Sequence, residues 1–198
     1  MTKATKRTRA LTGTAMLAAV ATILMYMEFP IPIMPGFIKM DISELPALIA
    51  GFAYGPLSGI AVCLIKNLIK LPSTSTAAVG ELFNFVMGAL FVGVAGIVYK
   101  KNKTRKGAII GAVAGALIMA LVSLPYNYFV VYPAYVVMYH LPLEAIIGMY
   151  QAINPNVNGL LACLVTFNVP FTFAKGMVDA LLCFLIYKPL SPILHGRK

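Results

Sequence analysis

The last apolar stretch of the chain carries a cation and a carboxylate four residues apart, Lys175 and Asp179. That spacing puts both on one face of a helix. A charge inside an apolar segment is costly and marks a functional position, unless two such groups merely neutralise one another. Asn168, Thr172 and Lys175 also fall on one helical stripe. An amide, a hydroxyl and an ammonium on one inward face suit a polar ligand that forms hydrogen bonds. Lys66, Asn67 and Lys70 close another apolar run, and for Lys70 snorkelling to the outer membrane surface is the expectation. Glu81 and Asn84 open a further run, where the helix dipole favours Glu81 whether or not it meets a ligand. Asn127 lies between Tyr126 and Tyr128. Those rings suit an interfacial belt, and an amide among them also suits a planar heterocycle held by hydrogen bonds and stacking.

Catalytic chemistry finds no comparable constellation. His140 and His195 are far apart, and Cys63, Cys163 and Cys183 sit in apolar runs without metal-ligand spacing. No G-x-x-x-x-G-K-[ST] loop is present, so ATP is not used by that route. No catalytic residue, metal or cofactor is expected. The polar groups gather toward one end of the apolar runs, which points to a binding site open to the outside.

The elements that position these groups are membrane helices. Of 198 residues 60% are hydrophobic and 11% charged, with a mean hydropathy of +0.87; a soluble domain carries about a quarter charged residues. The net charge is +10, but 12 of 16 basic residues fall in three clusters outside the apolar runs: Lys3, Lys6, Arg7 and Arg9; Lys100, Lys101, Lys103, Arg105 and Lys106; Lys188, Arg197 and Lys198. Such clusters flank membrane spans on the cytoplasmic side, whereas a nucleic-acid footprint needs a basic face on a soluble fold. A lipid bilayer is a partner; nucleic acid is not.

Residues 10–27 predict a first helix, retained rather than cleaved as a signal peptide. Proline-rich residues 28–44 predict a structured loop. Gly55-Pro56 breaks the next run into two short helices, 43–54 and 56–71. With this helical hairpin all three basic clusters fall on one side; with a single span they do not. Residues 72–80 predict an outer loop, 81–99 an inward helix and 107–131 an outward one. Residues 132–167 predict a long outer connection with a short apolar piece at 160–167, and 168–187 the last helix. The fold class is thus an all-α integral membrane protein of six transmembrane helices, with a short hairpin at the second and third, a long outer loop between the fifth and sixth, and both termini cytoplasmic. On the first helix Ala15 and Ala19 form A-x-x-x-A, and Ala18 with Thr22 repeats it one register along. Small residues at this spacing let another helix approach closely, within the monomer or from a separate subunit.

The stretch FIKMDISELPALIAGFAYGPLSGIAVCLIKNLIK, GELFNF at 80–85 and NVPFTFAKG at 168–176 resemble the riboflavin-specific S components of energy-coupling-factor (ECF) vitamin transporters, as do the A-x-x-x-A helix and the six-helix layout. The resemblance covers nearly the whole chain. It implies one substrate-binding domain over residues 1–198 in a prokaryotic plasma membrane. It further implies a protein that is not an enzyme, that captures riboflavin at the outer face, and that associates with a transmembrane coupling subunit and two ATPase subunits, docking through Ala15, Ala18, Ala19 and Thr22. By position Asn127, Asn168, Thr172 and Lys175 line the pocket, and Phe37, Ile38, Lys39 and Asp41 cover it; Glu81 and Asn84 complete the candidate set. Riboflavin binders often carry Asn where this chain has Thr172, a shorter group that keeps one donor and one acceptor. The alternatives are an S component for another vitamin or flavin (FMN or a roseoflavin-like compound), a membrane-embedded enzyme acting on a lipid or isoprenoid, and a self-contained secondary transporter. The last would show inverted repeats.

Overall fold

The computed structural model describes residues 3–74 and 76–195, with side chains for 4–74 and 76–187. The basic tail at Arg197 and Lys198 lies outside the described residues, as do the side chains of Lys3, Lys188 and His195. The chain is a bundle of apolar helices. Among the described residues four helical stretches are long and apolar enough to cross a membrane: Ala4–Tyr26, Val79–Lys101, Arg105–Tyr139 and Leu160–Tyr187. Their outer faces present Met16, Leu121, Phe129, Val137 and Leu185, all largely exposed, as lipid-facing side chains must be.

Helix α1 (Lys3–Tyr26) leads into the proline-rich segment, where strands β1 (Phe29–Pro30) and β2 (Lys39–Met40) pair antiparallel. This two-residue ladder is a departure from the all-α expectation. It pins the two ends of the loop together, so that the prolines between them need no sheet partners. Helix α2 (Glu44–Tyr54) is followed by α3 (Pro56–Lys70). Gly55 between them adopts φ +108°, which glycine reaches without steric cost, and Pro56 starts the new helix where its missing N–H is not needed. Helix α4 (Val79–Lys101) packs closely on α5 (Arg105–Tyr126). Gly107, Gly111 and Gly115 recur every four residues along α5, and a Cβ at Gly111 would lie 2.7 Å from the Ala95 carbonyl oxygen. Gly111→Val is therefore expected to force the two helices apart and destabilise the fold by at least about 1–3 kcal/mol. Gly148→Ala, where an added Cβ meets nothing, leaves thermal melting in detergent unchanged.

Beyond α5 the structure departs from the long outer connection expected over 132–167. Helix α5 passes through a π-helical turn at Asn127–Val131 into α6 (Tyr132–Tyr139). Helix α7 covers Leu143–Gln151. Helix α8 (Leu160–Cys163) runs through a second π-helical turn at Leu164–Asn168 into α9 (Val169–His195). The apolar piece at 160–167 is the first part of the last long helix, and only 140–142 and 152–159 are non-helical. Proline lacks an N–H, and its ring collides with the carbonyl four residues back. For Pro133 and Pro170 those carbonyls belong to Phe129 and Thr166, one in each π turn. Widening the helix there lets it pass each proline without a break.

Candidate functional site

One cavity opens where the β1–β2 segment, α2, α3, α4, the first π turn with α6, and the second π turn with α9 converge. Phe37, Ile38, Lys39 and Asp41 come from the loop; Glu81 and Asn84 from the start of α4; Asn127 from the first π turn; Asn168, Thr172 and Lys175 from the last long helix. All ten candidate positions line it. Asn127 and Asn168 sit in π turns. The extra residue in such a turn rotates its side chain off the regular stripe, and these bulges recur at functional sites.

The walls of the cavity are ion-paired and aromatic. Lys175 Nζ lies 2.8 Å from Asp41 Oδ2 and 3.2 Å from Glu44 Oε2. Lys66, wholly buried, donates to Glu44 Oε1 at 2.6 Å and to the Ser43 hydroxyl, which in turn bonds Asp41. Lys70 reaches Glu28 Oε2 at 2.5 Å, and Lys39 reaches Glu28 Oε1 at 2.9 Å. Burial alone would raise the Asp41 pKa, but the charges of Lys175 and Lys66 and the bonds from Lys175 and Ser43 hold it well below the usual carboxylate range. Glu28 is likewise lowered: against partial burial stand the hydrogen bonds and charges of Lys39 and Lys70. The loop is thus tied to the bundle at both ends by ionised carboxylates. Glu81 accepts from Thr74 at 2.7 Å and Thr76 at 3.0 Å, and Asn84 Oδ1 accepts a long bond from Asn67 at 3.4 Å.

On the opposite wall Tyr150 donates to Asn168 Oδ1 at 2.7 Å, Asn168 donates to the Tyr132 hydroxyl at 3.2 Å, and the two tyrosine hydroxyls bond one another. The Phe37 ring stands edge-on to Tyr132, Tyr135 and Tyr150 at 6.2–6.3 Å. This box of rings presents apolar faces beside one oriented amide. Asn127 donates to the Ser123 carbonyl one turn back at 2.8 Å, which fixes its carboxamide. The cavity offers planar apolar walls, amides and hydroxyls at one side, and cations and carboxylates around the rest. This is equipment for holding a planar, polar molecule rather than for reacting with it.

Residues 9–187 match the family model described as "ECF transporter, substrate-specific component". The chain belongs to this family. It is therefore a transporter component rather than an enzyme, and a membrane protein. It is 33% identical to "Riboflavin transporter RibU" of Staphylococcus aureus over 91% of this chain and 89% of that one. It is also 33% identical to "Riboflavin transporter FmnP" of Bacillus subtilis, over 93% of each. A solved structure described as "Structure and mechanism of the S component of a bacterial ECF transporter" superimposes with a TM-score of 0.74 at 31% identity, covering 95% of this chain and 98% of the other.

Several expectations for this S component need correction. Lys175 and Asp179 do not pair: Lys175 turns to Asp41 and Glu44, because the β1–β2 segment and α2 bring two carboxylates to it. Lys70 does not snorkel; it is buried, with Glu28 as its partner. The four small residues of α1 do not share one docking face. Ala15 and Ala19 are exposed, but Ala18 and Thr22 are buried on the side of α1 that packs on α2 and α3. They continue the stripe of Thr14, Ala21 and Met25 and are unavailable to another subunit.

The sequence reading also passed over Glu28, Glu44, Tyr132, Tyr135 and Tyr150. The two glutamates pair with Lys70 and Lys66, 42 and 22 residues away along the chain, a proximity that sequence spacing does not display. Tyr150 lay in the supposed loop. Its signal was the apolar spacing of LEAIIGMY, in which Ile146 and Tyr150 share a buried face.

Proposed function

We propose that this S component captures riboflavin at the outer face of a prokaryotic plasma membrane. The observation that carries the reading is the convergence on one cavity of an aromatic box, three amides and an ion-paired loop. An isoalloxazine is a planar tricycle with a polar imide edge, which suits apolar ring walls beside Asn127, Asn168, Thr172 and Lys175. A ribityl chain carries hydroxyls that both donate and accept, which suits the alternating carboxylates and lysines nearer the loop. The curated relatives named as riboflavin transporters match over about nine-tenths of the chain. FMN fits less well, because its phosphate would meet Glu28, Asp41, Glu44 and Glu81 in the same cavity.

The whole chain, 1–198, forms one substrate-binding domain in this reading. Six spans are supplied by α1, α2, α3, α4, α5–α6 and α8–α9, with α2 and α3 as a short hairpin and α7 within the outer connection. Both termini and the 100–106 cluster face the cytoplasm, in keeping with the bias of Lys and Arg toward that side. Ala15 and Ala19 on the open face of α1 receive the transmembrane coupling subunit. Two ATPases supply the energy, and the S component reorients as a whole to release the vitamin inside. Loss of uptake when ATP is depleted, but not when the proton gradient alone is collapsed, separates this reading from a secondary transporter.

Binding is tested on detergent-purified protein by quenching of flavin fluorescence. Riboflavin is expected to quench in a saturable, stoichiometric titration, and FMN to compete at least about tenfold more weakly, a difference of about 1.4 kcal/mol. A folded, monodisperse protein that leaves riboflavin fluorescence unchanged would overturn the assignment while leaving family membership intact.

A further inference from the structure

Asp179 sits on α9 at the floor of the cavity, wholly buried. Neither of its carboxylate oxygens has a hydrogen-bond partner among the described residues. A bare carboxylate in that position is among the least favourable groups a membrane protein can hold. Lys175, one turn away on the same face, does not relieve it, since its ammonium is turned to Asp41 and Glu44. The facing groups are Asp41 from the loop, Glu44 from α2, Lys66 and Cys63 from α3, and Lys175 and Cys183 on α9 itself; α4 lines the same cavity with Glu81, Asn84 and Met87, and α5 with Met119. With every acid and amine ionised the floor carries three negative charges, Asp41, Glu44 and Asp179, against two positive, Lys66 and Lys175. Asp41 and Glu44 each have a lysine at 2.6–2.8 Å. The surplus negative charge therefore falls on the acid that has neither a cation nor a donor.

We propose that Asp179 is a proton-binding site, occupied in the ligand-free S component so that its side chain is a neutral carboxylic acid. The proton removes the surplus charge and supplies a donor where the fold provides none; it is exchanged with water and changes no other bond. Its consequence concerns Lys175. An ionised Asp179 would compete with Asp41 for the ammonium and draw it one turn down α9, below the amides. A neutral Asp179 leaves Lys175 at the level of Asn168 and Thr172. Only that consequence rests on the binding role proposed for Lys175; the proton itself does not.

The chain has just two aspartates, Asp41 and Asp179, which makes the site accessible to infrared spectroscopy. Ligand-free protein labelled with carbon-13 aspartate is expected to show, at neutral pH, one carboxylic acid C=O band that shifts in D2O, and one carboxylate. The isosteric Asp179→Asn variant should lose the acid band and keep the carboxylate. Two labelled carboxylates and no acid band in the wild-type protein would overturn the proposal, and this outcome needs no variant to fold. An acid band that survives in Asp179→Asn would assign the proton to Asp41 and overturn it equally. Because no ligand is present, failure here is distinct from failure of the riboflavin assignment.

Discussion

Lys175→Ala is expected to weaken riboflavin binding by about ten- to a hundredfold, the equivalent of a hydrogen bond from a charged donor at about 1.5–3 kcal/mol. Lys175 is the cation on α9 that faces the cavity together with Asn168 and Thr172. It is held by Asp41 at 2.8 Å and Glu44 at 3.2 Å, which fixes the position of its ammonium at the cavity wall. Truncation also leaves those carboxylates short of a partner, which makes a structural effect a competing explanation. Lys175→Arg decides between them. It retains the charge and so the ion pairs, and should melt close to wild type. Its planar fork is longer than the ammonium and cannot reproduce a single compact donor, so affinity should still fall. Equal affinity of wild type and Lys175→Ala in the quenching titration would remove Lys175 from the site.

The second large effect is expected on folding. Lys66 is completely buried, with Glu44 Oε1 at 2.6 Å and Ser43 as a further partner. Removing one member of a buried pair strands the other, at a cost of about 3–5 kcal/mol. That is a large part of the ordinary stability of a folded domain, about 5–15 kcal/mol. Lys66→Ala should therefore give little folded protein, or protein with a sharply lowered melting temperature in detergent. Lys66→Met combined with Glu44→Gln should recover part of that loss, since neither group is then a bare buried charge. Melting of Lys66→Ala at the wild-type temperature would show that Lys175, 3.2 Å from Glu44 Oε2, is enough to hold that carboxylate. These lysines differ in what they hold: Lys66 joins α3 to the start of α2, and Lys175 joins α9 to the loop.

The two variants bear on one arrangement. The β1–β2 segment lines the cavity, and its carboxylates are fastened at one end by Lys39 and Lys70 and at the other by Lys175, with Lys66 behind. Lys39 lies 11 residues from Glu28 within the same loop, but the other lysines are far from their acids in sequence. Asp41 and Lys175 are separated by 134 residues. A pattern search sees Lys175 beside Asp179 instead, because helical spacing is the only proximity a sequence displays.

Much was nonetheless written in the residues themselves. Hydropathy and the basic clusters determined a membrane protein, since so much apolar surface has no other solvent. Gly55-Pro56 determined the break between α2 and α3, because only glycine takes φ +108° without strain and proline is tolerated at a helix start. Polar groups in apolar runs named six of the positions that line the cavity, Glu81, Asn84, Asn127, Asn168, Thr172 and Lys175, since a membrane-embedded polar side chain needs a reason to be there; Phe37, Ile38, Lys39 and Asp41 came from the family resemblance. What only the tertiary structure decided was who partners whom. The expected helix ends at 131 and 168 fall beside Pro133 and Pro170, yet π turns carry both helices past these prolines and hold Asn127 and Asn168 at the cavity. Ala18 and Thr22 were indistinguishable from Ala15 and Ala19 by type, and packing against α2 and α3 separated a buried stripe from an exposed one. Lys175 left Asp179 for Asp41 because the loop delivers a carboxylate with its own hydroxyl support from Ser43. Electrostatic preference inside a bilayer follows distance in space, and that distance is set by the packing of helices far apart in the chain.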